Sequence, residues 1–209
     1  MKLKNYSLSV GKNELFSNVT VDFENGTICH LLGGNGVGKS SFAKSLAKML
    51  EYTGEIIYRG SLCVIGSYTN VPNDLTINNL KEILKKSEEL YLFDDLYELL
   101  RINEIDNTLK IGKMSDGQKQ KVKLLAFLSS APDIIVLDEF TSSLDKKSML
   151  DIYNFLNQYI KTKETLIINI THNIVDLENL GGNYYYVTQK NIVQYSEKQK
   201  LIEDYTKLD

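Results

Sequence analysis

Thr27-Ile28-Cys29-His30-Leu31-Leu32, a nearly continuous apolar run, leads directly into Gly33-Gly34-Asn35-Gly36-Val37-Gly38-Lys39-Ser40. An apolar run of this kind reads as a strand buried on both faces. The glycine-rich segment matches the phosphate-loop pattern G-x(4)-G-K-[ST], and a helical pattern through Phe42, Leu46, Met49 and Leu50 follows it. Strand, loop and helix in that order leave few folds open. Backbone N–H groups must turn inward around phosphate oxygens, and a Cβ would obstruct that approach. The helix N-terminus adds its partial positive charge. In this pattern Lys39 reaches the β- and γ-phosphates, the Ser40 hydroxyl ligates Mg²⁺ and Ser41 touches the α-phosphate.

The rest of the chain agrees with an α/β architecture. Leu3, Tyr6, Leu8 and Val10, then Val19, Val21 and Phe23, alternate with polar residues around Gly11-Lys12-Asn13. That predicts an N-terminal antiparallel β region. Ile134–Leu137 and Thr165–Ile170 are further buried strands, separated by helices at roughly 117–130 and 146–161. Such alternation predicts a mostly parallel sheet. Thr76 to Arg101 is charged, carries helical spacing through Leu80, Ile83, Leu84 and Leu90 to Leu100, and lacks a strand signal. A helical subdomain, approximately 76–130, is therefore expected as an insertion into one α/β domain spanning 1–209. Tyr184–Val187 and Asn191–Tyr195 read as a closing hairpin.

Composition excludes several classes. The net charge of −3 provides no global basic field, so no nucleic-acid partner is expected. Lys119, Lys121 and Lys123 read as a solvated helix face. Cys29 and Cys63 lack CxxC spacing and read as buried free thiols in a reducing compartment. No uncharged apolar run approaches the ~18 residues that span a bilayer, so any membrane crossing is expected from another chain.

Asp138-Glu139 follow the Ile134–Leu137 run. A buried parallel strand delivers its last residues to the carboxyl edge of the sheet, beside the glycine-rich loop. There Asp138 can hold Mg²⁺ through its water, and Glu139 can orient or deprotonate an attacking water. Met114-Ser115-Asp116-Gly117-Gln118-Lys119-Gln120-Lys121 has the S-x-x-Q spacing of a capping box, so a helix begins there with free N–H groups suited to an anion.

That segment resembles the signature of the ABC ATPases, Leu-Ser-Gly-Gly-Gln followed by basic residues. Ser142-Ser143-Leu144-Asp145 resembles the D-loop of the family, and Ile170-Thr171-His172-Asn173 its switch histidine. The resemblance covers nearly the whole chain, with the landmarks in family order. It implies a P-loop NTPase core and an ATP-hydrolysing subunit of a transporter, with ATP and Mg²⁺ as cofactors. ATP is then held by Gly33, Gly34, Asn35, Gly36, Val37, Gly38, Lys39, Ser40 and Ser41, and the metal by Ser40 and Asp138. Glu139, His172 and Lys39 become catalytic, with His172 bridging γ-phosphate and Glu139. Ser115, Gly117 and Gln118 close over the ATP of a second, head-to-tail copy, with Asp145 in the D-loop. The resemblance also implies an integral membrane partner and a cytoplasmic, peripheral location on the inner face of the cell membrane.

Three positions depart from the pattern. Asp116 replaces the first signature glycine and is expected to point outward, since a carboxylate facing γ-phosphate is opposed electrostatically. Val10 stands where many members stack an aromatic on adenine, leaving Tyr6 or Phe16 as aromatic candidates. No glutamine precedes Gln118, so Ser67 or Asn70 becomes the polar substitute in the loop Ile65–Thr76. That loop carries the coupling to the membrane subunit in relatives, and its short form resembles the haem-exporter ATPases of cytochrome c maturation. Non-transport ABC ATPases and non-catalytic nucleotide-binding modules are the alternatives from other classes.

Overall fold

The computed structural model describes residues 1–86, 92–142, 144–162 and 164–208. Two sheets form the frame. β1 (Lys2–Val10) pairs antiparallel with β2 (Asn13–Asp22) and with β4 (Thr53–Ile57). The larger sheet has the order β5 (Leu62–Ile65), β6 (Ile134–Asp138), β7 (Leu166–Thr171), β3 (Ile28–Leu32), β8 (Asn183–Thr188) and β9 (Asn191–Tyr195). Its first five strands in that order run parallel, and β9 closes it antiparallel. The expected α/β class, the N-terminal antiparallel region and the terminal hairpin are all present.

β3, β6 and β7 are buried at every residue. Successive side chains point to opposite faces. Cys29, Leu31, Val136, Ile168 and Ile170 therefore share one core with Tyr6, Phe16 and Phe42, under the antiparallel sheet and α1 (Lys39–Leu46). Ile28, Ile135, Leu137 and Ile167 share another with α4 (Asp116–Leu128) and α5 (Lys146–Thr162). α6 (Ile174–Asn179) and α7 (Lys198–Leu208) contribute Leu177, Leu201 and Tyr205 to a third cluster with Leu32.

The insertion between β5 and β6 is helical, as expected. It holds α2 (Ile77–Lys86), α3 (Phe93–Leu99), short 3₁₀ turns and α4. The part of the predicted helix at Leu90 and Tyr91 lies outside the described residues. α1 ends at Leu46 rather than running to Leu50, because Lys48 adopts φ 58° and leaves Met49 exposed. β4 and β5 carry no strand prediction. β4 is largely exposed with no alternation to read, and β5 is only four residues long. Cys63, on β5, is only partly buried, a correction to the expected pair of buried thiols; it sits on an edge strand with a single neighbour. α7 was not legible as a helix, and Asp209 lies outside the described residues. No helix among the described residues is long and apolar enough to cross a membrane.

One polar chain crosses the second face. Asn169 Nδ2 meets His30 Nδ1 at 3.2 Å and Asp176 Oδ2 at 3.4 Å. Asp176 also accepts from Thr141 Oγ1 at 2.8 Å and Tyr153 Oη at 2.5 Å. His30 is fully buried, stacked on Tyr184, and burial pulls its pKa from 6.5 to about 4 against the opposing pull of Asp176. His30 is thus the core histidine its sequence context suggests. The unfolded chain takes up this proton first as pH falls, so stability from a neutral His30 is whole above pH 6.5 and drains away toward pH 4. The full loss is on the order of 3 kcal/mol. His30→Phe, which keeps the stacking, should flatten denaturant-derived stability between pH 6.5 and 4.5 relative to wild type. Parallel pH curves for the two proteins would exclude His30 as the titrating group.

Candidate functional site

Strand register assembles the first group of residues. Leu32 is paired with Thr171, so Gly33 leaves the sheet beside His172. Asp138 is paired with Ile170, so Glu139 leaves it beside Thr171. Three neighbouring parallel strands thus deliver the glycine-rich loop, both carboxylates and the histidine to one edge.

The loop turns into α1 at Gly38, whose φ of 102° is open to glycine and rarely to L side chains. Phe42 N–H donates to Gly38 O at 2.8 Å, starting the helix. The Lys39 ammonium curls back and donates to the carbonyls of Gly33 at 2.7 Å and Gly34 at 2.8 Å. Burial lowers its pKa, while Glu139 and Asp138 pull the other way. Asn35 and Gly36 are exposed at the loop tip, and Gly34, Val37, Ser40 and Ser41 are half-buried.

The Ser40 hydroxyl donates to Asp138 Oδ1 at 3.0 Å. Burial raises the Asp138 pKa, and neighbouring Glu139 adds to the rise; Ser40, Tyr68 and Lys39 offset part of it. Glu139 takes a left-handed φ of 50°, with its N–H on Ile170 O at 2.9 Å and its carbonyl accepting from Ser142 Oγ at 2.8 Å. That twist turns its carboxylate toward His172, whose Nδ1 lies 3.2 Å from Glu139 Oε1. Among the described residues no three His, Cys, Asp or Glu side chains gather as a metal centre. A hydroxyl and a carboxylate oxygen side by side instead suit a hard cation that takes its remaining ligands from phosphate and water.

A second group assembles elsewhere. Ser115 caps α4: Gln118 N–H donates to Ser115 Oγ at 3.3 Å, and Ser115 N–H to Gln118 Oε1 at 3.0 Å. The predicted capping box is therefore closed on both sides. Asp116 is exposed, with Lys119 Nζ 3.5 Å from its carboxylate. Asp145 caps α5 through Ser148 N–H at 3.0 Å and Ser148 Oγ at 2.7 Å. Gly117 lies directly against that cap, since a Cβ there would come within 2.1 Å of Ser148 Oγ. Ser115, Gly117 and Gln118 line a small hollow of about 150 Å³ with Arg101, Lys147 and Ser148. Ser143 of the same loop lies outside the described residues.

Several expectations are corrected. Tyr6 and Phe16 are fully buried, packed on Phe42 in the first core, so neither can stack on a base. Ser67 and Asn70 are exposed, with Asn70 Nδ2 bonded to Ser67 O. Of the two residues between them, Tyr68 reaches inward: its ring lies against Gly66, and Asp138 next to its buried hydroxyl raises the phenol pKa after burial has done so. Sequence reasoning missed it by looking for an amide; an aromatic in a loop of small polar residues was the available signal. Lys121 and Lys123 are not a solvated face either. Both are buried, with Lys121 Nζ 2.7 Å from Asp151 and Lys123 Nζ donating to Gly66 O at 2.9 Å. Helix α4 is packed on more than one side, so these lysine stems are covered and end on the half-buried Asp151 carboxylate and the carbonyl of buried Gly66.

The sequence profile of the ABC transporter family matches residues 16–142. The chain is 42% identical over 207 residues to the "Probable peptide export ATP-binding protein YydI" of Bacillus subtilis (strain 168), covering 98% of this chain and 99% of that one. Its backbone resembles a bacterial Atm1-family ABC exporter with ATP bound, at TM-score 0.83 and 20% identity over 99% of this chain and 40% of that one. It also resembles a metal-chelate type ABC transporter in an inward-facing conformation, at TM-score 0.82 and 16% identity, over 99% and 88% of the two chains.

The contact at Gly117 gives a direct test. Gly117→Ala should destabilise the chain by about 1–3 kcal/mol in urea unfolding, because both sides of the contact are helix-anchored. Adding Ser148→Gly, which removes the obstructing atoms, should recover part of that loss. Full stability of the single variant would mean that α5 yields freely.

Proposed function

This chain belongs to the ABC transporter family, and from that premise we propose that it is the ATP-hydrolysing subunit of a peptide exporter, working as a head-to-tail pair on a separate membrane subunit. The observation that carries the reading is the division of chemistry within one chain. Lys39, Ser40, Asp138, Glu139 and His172 converge at one sheet edge. Ser115, Gly117, Gln118 and Asp145 gather at the starts of α4 and α5. Each group is half of a site, and two copies facing each other make two whole ones.

In this reading Gly33 to Ser41 cradle the phosphates of ATP, and the Lys39 ammonium exchanges its loop carbonyls for β- and γ-phosphate oxygens. Ser40 and Asp138 hold Mg²⁺, which would neutralise charge developing on the transferred phosphoryl group. Glu139 accepts the proton of the attacking water or orients it. His172 spans Glu139 and γ-phosphate, with Nδ1 on the Glu139 side. Ser115, Gly117 and Gln118 of the second copy present a capped helix N-terminus to γ-phosphate.

Support for peptide export is the 42% identity that runs through nearly all of both chains. The likeness of the Ile65–Thr76 loop to haem exporters rests on that loop alone. The membrane subunit is proposed to seat a helix in the cleft of about 630 Å³ walled by Tyr58, Leu62, Thr69, Leu80, Leu84 and Phe127. Thr69 belongs to the loop that brings Tyr68 to Asp138, so an occupant there touches a segment continuous with the chemistry. The protein is thereby a peripheral subunit on the cytoplasmic face of the membrane.

Glu139→Gln should keep ATP binding and lower turnover by roughly 10²-fold or more, the usual scale for losing a general base. The same variant should accumulate as an ATP-dependent dimer in size-exclusion chromatography. Turnover near wild type would remove Glu139 from the role of base. For the wild-type chain, turnover per molecule should rise with protein concentration until pairing saturates; a flat dependence would rule out the shared site.

A further inference from the structure

Helix α7 lies beyond residues 16–142, where the family profile matches, yet it packs against both segments that carry the chemistry. Lys198, Leu201 and Tyr205 fall on one helical face by their spacing. Leu201 and Tyr205 are buried with Leu32, the residue immediately before Gly33, and with Leu177 of α6. Lys198 Nζ donates to Leu177 O at 3.3 Å. Tyr205 Oη donates to the backbone carbonyl of His172 at 3.1 Å. The rotation of the helix is held by the edge-on packing of Tyr205 on Tyr186 and by Tyr195 Oη donating to Asp204 Oδ2 at 3.0 Å.

His172 is placed one residue past the end of β7, outside the strand ladder. Its ring is half-exposed and meets Glu139 through one contact at 3.2 Å. The direction of that ring depends on the peptide plane that follows it. Tyr205 anchors the oxygen of that plane, and Thr171 Oγ1 accepts from Asn173 N–H at 2.9 Å on the other side. Together these contacts fix the backbone from which His172 reaches across to Glu139.

We infer that α7 is a clamp on the histidine segment and that Tyr205 is a positioning residue for His172 in ATP hydrolysis. This rests on the reading of His172 as a γ-phosphate contact. The clamp acts through backbone geometry alone: Tyr205 does not touch the reacting atoms. Small displacements of a reacting constellation are costly to rate while leaving substrate affinity nearly untouched.

Tyr205→Phe removes the one hydroxyl and keeps the ring in its packing. In the full chain at saturating protein concentration, kcat should fall about three- to tenfold, the net worth of one ordinary hydrogen bond, with KM for ATP within about twofold of wild type. A structural readout separates positioning from general loosening. The chain has two histidines, so a histidine-selective ¹⁵N spectrum reports on His30 and His172 only. The ring resonances of His172 should move in Tyr205→Phe and those of His30 should stay. A kcat within 1.5-fold of wild type (roughly the error of such a comparison, well under one hydrogen bond) or an unmoved His172 ring overturns the clamp. Lys198→Met, which releases the Leu177 end of the same grip, should shift the His172 ring in the same direction by a smaller amount, and no shift there overturns the role given to the helix as a whole. His172→Ala tests the underlying reading separately: turnover near wild type in that variant removes His172 from the reaction, while the ring shifts still decide whether α7 positions it.

Discussion

Parallel pairing among β6, β7 and β3 is the constraint from which the site follows. Leu32 sits opposite Thr171 and Asp138 opposite Ile170; Gly33, Glu139 and His172 each lie one position beyond those pairs, and Lys39 and Ser40 follow from the loop that starts at Gly33. A register slip of one residue in β7 would turn Ile168 and Ile170 toward the helices and Asn169 into the apolar core. The alternation of the two faces therefore holds the register, and the register holds Lys39, Glu139 and His172 within reach of each other. The geometry of this edge is a by-product of hydrophobic sorting across a sheet.

The two faces differ in kind. Beneath the antiparallel sheet the core is aromatic, with Tyr6, Phe16 and Phe23 each packed on Phe42. On the opposite face a polar chain from His30 through Asn169 and Asp176 reaches Thr141 and Tyr153. Such a network is directional, where apolar packing is not. It joins the strand before the glycine-rich loop, the strand before His172, the turn after Glu139 and helix α5. Lys123 on Gly66 O and Lys121 on Asp151 likewise tie α4 to the loop and to α5. The two groups of residues, at α1 and at α4, are thereby parts of one braced body.

Much of this was legible in the sequence because it rests on local chemistry. Gly33 to Ser40, the capping box at Ser115 and Gln118, and the apolar runs before Gly33, Asp138 and His172 each carry their reason within a few residues. What the sequence concealed is set by tertiary contact. Tyr6 and Phe16 are aromatics at plausible base-stacking positions, and only the packing against Phe42 shows that they are core. Lys121 and Lys123 carry the pattern of a wet helix face, and only the second layer of contacts around α4 reverses it. Tyr68 stood in plain view, but its relation to Asp138 spans a crossover that no spacing rule covers. The strand at Leu62–Ile65 is an apolar run of four between Gly60 and Gly66, too short to distinguish from a turn without its partner β6.

Glu139 holds a backbone conformation that suits glycine or asparagine better than glutamate, at φ 50°. The strain costs on the order of 1 kcal/mol. In laboratory evolution for heat resistance alone, this codon would drift toward Gly or Asn and yield a sturdier fold. On the proposed reading of Glu139 as the base, that strain is the stability the fold gives up to hold a carboxylate at this sheet edge.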